Sequence, residues 1–119
     1  MITAHHVSVQ PRVVREADTL SAEGFEVRVI ARQTDPELCR YDRELMESRS
    51  WLLETIELVR NGSSHQNWFK ETLNSKLSKA LFDVGICKGA LAPRAYVRGM
   101  NRLADLAKSK PADWFVAHT

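Results

Sequence analysis

Two parts of the sequence carry side chains that could bind or activate a substrate. The first is the segment 8–12, which contains Ser8, Gln10 and Arg12 around a proline. Its backbone N–H groups and the Arg12 guanidinium could hold a phosphate or another acidic group. The second is His118, whose imidazole can take up or release a proton near neutral pH. Ser8, Gln10 and Arg12 are therefore candidate substrate-binding residues, and His118 is a candidate catalytic residue.

A strand–helix–strand pattern positions the first of these parts. We predict a first strand at Ile2–Val9, which ends before the proline. A helix follows at Pro11–Glu23, because apolar residues recur there at helical spacing until Gly24. The alternating run Phe25–Ala31 predicts a second strand. Two strands joined by one crossover helix must lie parallel, so the sequence predicts a parallel sheet.

The rest of the chain continues this architecture. We predict a short surface helix or loop up to Ser50, a third strand, two helices and a fourth strand buried on both faces. Ligands of such sheets bind beyond the carboxyl ends of the strands, where both candidate parts fall. The fold class is α/β, with a Rossmann-like, mostly parallel sheet of about four strands and flanking helices. The predicted bounds are Thr55–Val59 for the third strand, Gln66–Val84 and Ala92–Ser109 for the helices, and Trp114–Ala117 for the fourth strand.

The composition is that of at most one globular domain. Of the 119 residues, 44% are apolar and 27% are charged, and the formal net charge is +2. This charge is far below that of a dedicated nucleic-acid binder, so we expect no nucleic-acid partner. No apolar run reaches the roughly eighteen residues of a membrane span. Cys39 and Cys87 fit neither a metal site nor a disulfide framework, which favours free thiols and a cytoplasmic location.

The sequence indicates neither a metal nor a cofactor. His5 and His6 are adjacent, and adjacent strand residues point to opposite faces, so the two imidazoles cannot chelate one ion. The chain also has no Asp-x-Asp triplet, the usual carboxylate clamp for a divalent metal on a nucleotide diphosphate.

Two segments carry a resemblance to a known family. The first reads Pro-Arg-Val-Val-Arg-Glu-Ala at residues 11–17, with Gly-Phe-Glu-Val at 24–27 and Val-Ile at 29–30. The second reads Ala-Asp-Trp-Phe-Val-Ala-His at residues 112–118. In this order the two segments resemble blocks of family 4 (group 1) retaining glycosyltransferases. The chain resembles the N-terminal part of such an enzyme.

The resemblance implies a fold, a reaction and site residues. The family has a GT-B fold of two Rossmann-like domains facing a cleft, and residues 1–119 correspond to a single partial domain, the incomplete N-terminal acceptor-side half. His118 matches the family histidine that contacts the transferred sugar, and Gln10 stands where the family usually has aspartate. The reaction moves a sugar from a nucleotide-sugar donor to a glycan, lipid or small-molecule acceptor. The family's paired glutamates lie in the second domain, so the isolated chain should be inactive.

Other interpretations stay open. One is a small flavodoxin-like binding or regulatory module without catalysis, and a weaker one is a helical interaction protein built on residues 66–109. The apolar stripe of the helix Gln66–Val84 favours packing on the sheet. Its lysines also fit an interfacial helix, which leaves peripheral contact with the inner face of the membrane open. A truncated domain would also expose apolar surface and self-associate.

Overall fold

The computed structural model describes residues 1–58, 65–85 and 99–118. Within these ranges, strands and helices follow one another as in an α/β domain. In chain order the elements are β1 (Ile2–Thr3), a 3-10 helix (Val7–Val9), α1 (Pro11–Ala22), β2 (Arg28–Gln33), α2 (Pro36–Met46), β3 (Leu52–Glu57), α3 (His65–Asp83), α4 (Met100–Lys108) and β4 (Ala117–His118).

The strands form one sheet in the order β3-β2-β1-β4. Every strand runs parallel to its neighbours. β2 and β3 pair from Arg28 opposite Leu52 to Gln33 opposite Glu57. β1 lies between β2 and β4 and pairs with each through Ile2 and Thr3. The predicted α/β class, a parallel sheet of four strands with flanking helices, is confirmed.

The sheet separates two apolar clusters, because successive strand residues point to opposite faces. Val29 of β2 packs with Val13 and Ala17 of α1. The next residue, Ile30, belongs to the other cluster, which includes Leu103 of α4. α1 and α4 therefore cover opposite faces of the sheet, the usual arrangement for a parallel sheet whose faces must both be shielded from water.

The start of α4 approaches the sheet closely at Gly99. This residue has φ +76°, in the left-handed region that favours glycine. A Cβ atom at this position would lie 2.8 Å from Leu58 Cδ1 and 2.9 Å from Ile56 Cδ1. The absence of a side chain at Gly99 thus allows α4 to pack against the end of β3.

The far end of α4 is tied to the sheet by charges. Arg28 of β2 donates a hydrogen bond of 2.6 Å to the carbonyl oxygen of Leu106 and also pairs with Glu54 of β3. Lys110 pairs with the second carboxylate oxygen of Glu54. These hydrogen bonds, that of Arg28 foremost, lower the pKa of Glu54. The cluster anchors the chain that leads from α4 to β4.

The first strand is shorter than predicted. Only Ile2 and Thr3 pair in the sheet, and the predicted remainder up to Val9 leaves it and ends in the 3-10 helix. Two side chains explain the departure: His6 is drawn into a buried polar network, and Val7 is fully buried in the core. Alternation along the sequence does not report these contacts, so the predicted strand was too long.

The second strand begins later than predicted. Gly24 has φ +88°, and the Phe25 N–H bonds to the carbonyl oxygen of Leu20, so both residues belong to the end of α1. Pairing starts at Arg28. Phe25 is exposed and does not share the buried face that its alternation with Val27 predicted.

The middle of the chain contains a complete helix. The segment predicted as a short surface helix or loop forms α2, whose N-terminus is capped by the Asp35 carboxylate through the Glu37 and Leu38 N–H groups. The third strand starts at Leu52 instead of Thr55, because pairing with β2 determines its extent. The predicted helices are observed as α3 and, in its described part, α4. Residues 92–98 and Val59 lie outside the described residues.

The prediction that the fourth strand is buried on both faces is wrong. β4 comprises Ala117 and His118, while Trp114 is 85% exposed and Phe115 and Val116 are also exposed. β4 lies at the edge of the described sheet and pairs only with β1 there. A strand that is buried on both faces needs elements packed over each face and a neighbouring strand on each edge. The described residues supply only part of this cover.

The expected packing of the apolar side of α3 on the sheet is wrong. Phe69, Leu73 and Leu77 are each more than half exposed. The side of the helix that is shielded carries Ser78 and, half-buried, Trp68 instead. None of the helices in the described ranges has the length and apolar character that crossing a membrane requires.

Candidate functional site

The strand order reverses direction between β1 and β4. The chain builds outward from β1 through β2 to β3, and β4 then lies on the other side of β1. In open parallel sheets the loops diverge at such a reversal, and the crevice beyond the strand carboxyl ends there is the usual ligand site. Thr3 and His118 are paired at this position, so the end of β4 and the loop after β1 border the crevice.

His118 is largely shielded at this crevice. Its side chain is 8% exposed, and Nε2 lies 3.1 Å from a carboxylate oxygen of Glu16. The two atoms are close enough for an ion pair but are not aligned as a hydrogen bond, so Nε2 has no hydrogen-bond partner. A substrate would reach this nitrogen only after the Glu16 side chain turns away.

Glu16 joins the two parts that the sequence singled out. Its other carboxylate oxygen accepts a hydrogen bond of 2.9 Å from Arg12 Nε, one helical turn earlier in α1. This hydrogen bond, followed by the nearby imidazole of His118, lowers the pKa of Glu16 although slight burial raises it. The structure therefore brings Arg12 and His118 together on one carboxylate. Glu16 was not among the predicted site residues, and its four-residue spacing from Arg12 is the signal that could have found it.

Ser8 and Gln10 do not offer the free N–H groups that were expected. The Ser8 N–H donates to Asp42 Oδ1 at 2.8 Å, and the Gln10 N–H donates to the carbonyl oxygen of Val7 at 3.0 Å. The Ser8 hydroxyl oxygen is buried. The Gln10 side chain makes no capping hydrogen bond to α1 and is partly exposed. Of the three predicted binding side chains, Gln10 and the exposed Arg12 thus remain accessible to a ligand.

A buried polar network braces this loop from inside. Asp42 of α2 is 1% exposed and accepts from His6 Nδ1 at 2.9 Å and from Gln33 Nε2 at 2.8 Å, besides Ser8. Burial raises the pKa of Asp42, but the hydrogen bonds from Gln33, Ser8 and His6 outweigh burial and lower it overall. The carboxylate is therefore ionised near neutral pH and joins β2, α2 and the loop after β1.

The His6–Asp42 pair resembles part of a catalytic triad but cannot act as one. His6 Nε2 accepts the backbone N–H groups of Thr34 at 2.8 Å and Asp35 at 3.0 Å. Its proton must then lie on Nδ1, which donates to Asp42. A triad base needs its outer nitrogen free to take a proton from a nucleophile. His6 holds two backbone segments together and has no nitrogen left for a substrate.

A shallow groove of about 410 Å³ lies between the 3-10 helix and α2. Apolar side chains and the half-exposed ring of Tyr41 form most of its wall. Glu44 contributes a carboxylate to the wall of the groove. The lining residues are Ser8, Val9, Leu38, Tyr41, Glu44 and Leu45.

The remaining reactive side chains are those of the two cysteines. Cys39 is a partly buried free thiol whose pKa is raised by burial first and by nearby carboxylates, Asp42 foremost. Cys87 lies outside the described residues. Among the residues that the structure describes, no three His, Cys, Asp or Glu side chains are grouped so that they could hold a metal ion.

No family model, no curated protein and no solved structure matches this chain. The candidate function therefore rests on the geometry of the β1–β4 crevice and on the sequence resemblance of residues 11–30 and 112–118.

Proposed function

We propose that this chain is the acceptor-side N-terminal domain of a nucleotide-sugar-dependent glycosyltransferase. The main support is the position of His118, at the carboxyl end of β4 where the parallel sheet reverses strand order. The resemblance independently selects this histidine as the residue that contacts the transferred sugar. Two lines of reasoning, one from sequence pattern and one from sheet topology, thus lead to one side chain.

The side chains around the crevice suit the binding of a polar acceptor. When the Glu16 side chain turns out to solvent, away from both Arg12 and His118, His118 Nε2 can hydrogen-bond a sugar hydroxyl. Arg12 is 81% exposed and can then hold an acidic group of the ligand, with Gln10 beside it. These residues bind and orient a substrate. The groups that carry out the transfer belong, by the resemblance, to a second domain.

The flavodoxin-like module remains the alternative. Flavodoxin-type sheets place β1 between β2 and β3, whereas here β2 lies between β1 and β3. This order is that of the mononucleotide-binding half of a Rossmann fold. This strand order favours the transferase proposal over a flavodoxin-like module. A nucleotide-binding module with the same strand order is also compatible with the observed sheet.

The test uses the gene product at its native length. Donor consumption is measured with a panel of UDP-, GDP- and ADP-hexoses and simple acceptors. We expect His118→Ala to lower kcat roughly 10- to 100-fold, the effect of removing one well-placed polar contact to the reacting sugar. His5→Ala is the matched control, because His5 is exposed, and it should retain full activity.

A second arm tests Arg12. Arg12→Gln should raise the acceptor KM, while Arg15→Gln, an exposed arginine one turn away on α1, should leave it unchanged. Absence of sugar-nucleotide consumption at native length, or tight binding of a flavin or mononucleotide by residues 1–119, would overturn the proposal. Full activity of His118→Ala would overturn the role of this residue.

A further inference from the structure

α3 presents an uncovered apolar stripe to solvent. Phe69, Leu73 and Leu77 are 57%, 58% and 58% exposed, and Leu81 continues the row at 36%. The four side chains are spaced four residues apart, so they lie on one face of the helix. We call this row the α3 stripe. It forms a contiguous exposed apolar surface, which soluble proteins rarely leave without a partner.

The opposite side of α3 accounts for its attachment to the domain. Ser78 is buried, and Trp68, Ser75 and Phe82 are partly buried. These residues lie about 120° to 180° around the helix from the centre of the stripe, given about 100° of rotation per residue. The helix therefore uses its other face for contact with the rest of the chain, and no described residue covers the stripe.

The charged residues of α3 nearest the stripe are lysines. With about 100° per residue, Lys70 and Lys76 lie about 40° and 80° from the stripe centre. The acidic residues of the helix, Glu71 and Asp83, lie farther round. Both lysines are exposed, and their long side chains can extend from an apolar surface to bring the ammonium group to its margin.

We propose that the α3 stripe docks on an anionic lipid surface. An apolar row of Phe and Leu flanked by Lys is the pattern of a helix that lies in the plane of the membrane interface. The aromatic and leucine side chains would enter the boundary between headgroups and acyl chains, and Lys70 and Lys76 would contact lipid phosphates. A second copy packed stripe against stripe fits less well, because it would bring further lysines to the stripe, whereas the acidic residues of α3 lie farther round the helix.

This inference does not depend on the transferase proposal. It rests on exposure and charge of α3 alone, and none of the residues at the β1–β4 crevice takes part. Failure of lipid binding would not affect the transferase proposal. Failure of the transferase proposal would not affect the lipid-binding proposal.

The experiment is vesicle flotation of the 119-residue chain. We expect binding to vesicles of phosphatidylcholine mixed with phosphatidylglycerol and much weaker binding to pure phosphatidylcholine. Leu73→Ser with Leu77→Ser should reduce the partition coefficient roughly tenfold per leucine, from the apolar area that no longer enters the lipid. Phe25→Ser, an equally exposed aromatic residue outside α3, should bind as the unmodified chain does.

If circular dichroism shows that the serine variant does not fold, a charge variant still tests the proposal. Lys70→Gln with Lys76→Gln should reduce binding to anionic vesicles roughly fivefold per lysine and leave far-ultraviolet spectra unchanged. Equal binding of this variant and the unmodified chain would overturn the proposal. So would a lipid-independent dimer that Leu73→Ser with Leu77→Ser dissociates, since a second copy would then cover the stripe. Absence of vesicle binding by a monomer would overturn it as well.

Discussion

Replacing Asp42 with alanine removes the acceptor of three hydrogen bonds inside the domain. The donors are His6 Nδ1, Gln33 Nε2 and the Ser8 N–H. They come from two separate segments, the loop after β1 and β2. Water has almost no access to the carboxylate, which is 1% exposed. The substitution therefore tests whether this network holds the loop after β1 in place.

The expected cost follows from the number of donors. A buried donor left without an acceptor costs roughly 1–3 kcal/mol, so with three donors Asp42→Ala should lower the free energy of unfolding by roughly 3–9 kcal/mol. That is a large share of the roughly 5–15 kcal/mol that stabilises a domain. Asp42→Asn keeps the shape and replaces one accepting oxygen by an NH2 group. It should cost roughly 1–3 kcal/mol, because His6 cannot turn while Nε2 holds two backbone N–H groups.

The dependence of folding stability on acidic pH provides an independent test of the network. The folded-state pKa of Asp42 lies below its unfolded value, so its stabilisation is fully present above about pH 4 and is lost as the pH falls through the folded pKa. Stability of the unmodified chain should thus fall on acidification in this range. In Asp42→Asn this part of the pH dependence should disappear.

The measurement is equilibrium unfolding in urea, followed by circular dichroism and extrapolated linearly to water. Asp113→Asn is the matched control, because Asp113 is exposed, and it should change stability by less than about 0.5 kcal/mol. If Asp42→Asn behaves like Asp113→Asn at neutral pH and retains the acid sensitivity of the unmodified chain, the network does not hold the loop and the reasoning is refuted.

Three further outcomes follow from local geometry. Gly99→Ala should cost roughly 1–3 kcal/mol more than Gly24→Ala in the same urea assay, because both have positive φ but only Gly99 faces a clash; equal costs would contradict the close approach. Glu54→Gln should lower Tm and weaken the loss of stability below about pH 4, since the depressed pKa of Glu54 makes its stabilisation disappear on protonation; an unchanged Tm would contradict the anchoring of α4. In a Cys87→Ser background, Cys39 should react with iodoacetamide more slowly at neutral pH than a cysteine in an unstructured peptide, because its pKa is raised; an equal rate would argue against its burial.

Local pattern predicted most of the element order. Apolar spacing between Pro11 and Gly24 is a property of neighbouring residues, and it located α1 correctly. The same kind of signal located α3 and the described part of α4. Element ends were less predictable, because strand pairing determines them: β3 extends to Leu52 since that residue lies opposite Arg28 of β2.

The candidate site was predictable only in part. The sequence alone selected Arg12 and His118 as separate candidates, and only the fold places both on the Glu16 carboxylate. His6 and Asp42 are 36 residues apart, and no spacing rule connects them. The tertiary structure thus decided that the Ser8 N–H serves Asp42 and not a ligand.

By itself, then, the sequence determined the α/β class and the alternation of strands and helices, since these depend on contacts between residues close in the chain. Only the tertiary structure decided which faces meet. An apolar stripe specifies that a helix face avoids water but not what covers it, so the exposure of Leu73 and Leu77 could not be read from spacing. The same holds for Trp114, whose apolar run lies beside the edge of the described sheet instead of within its core.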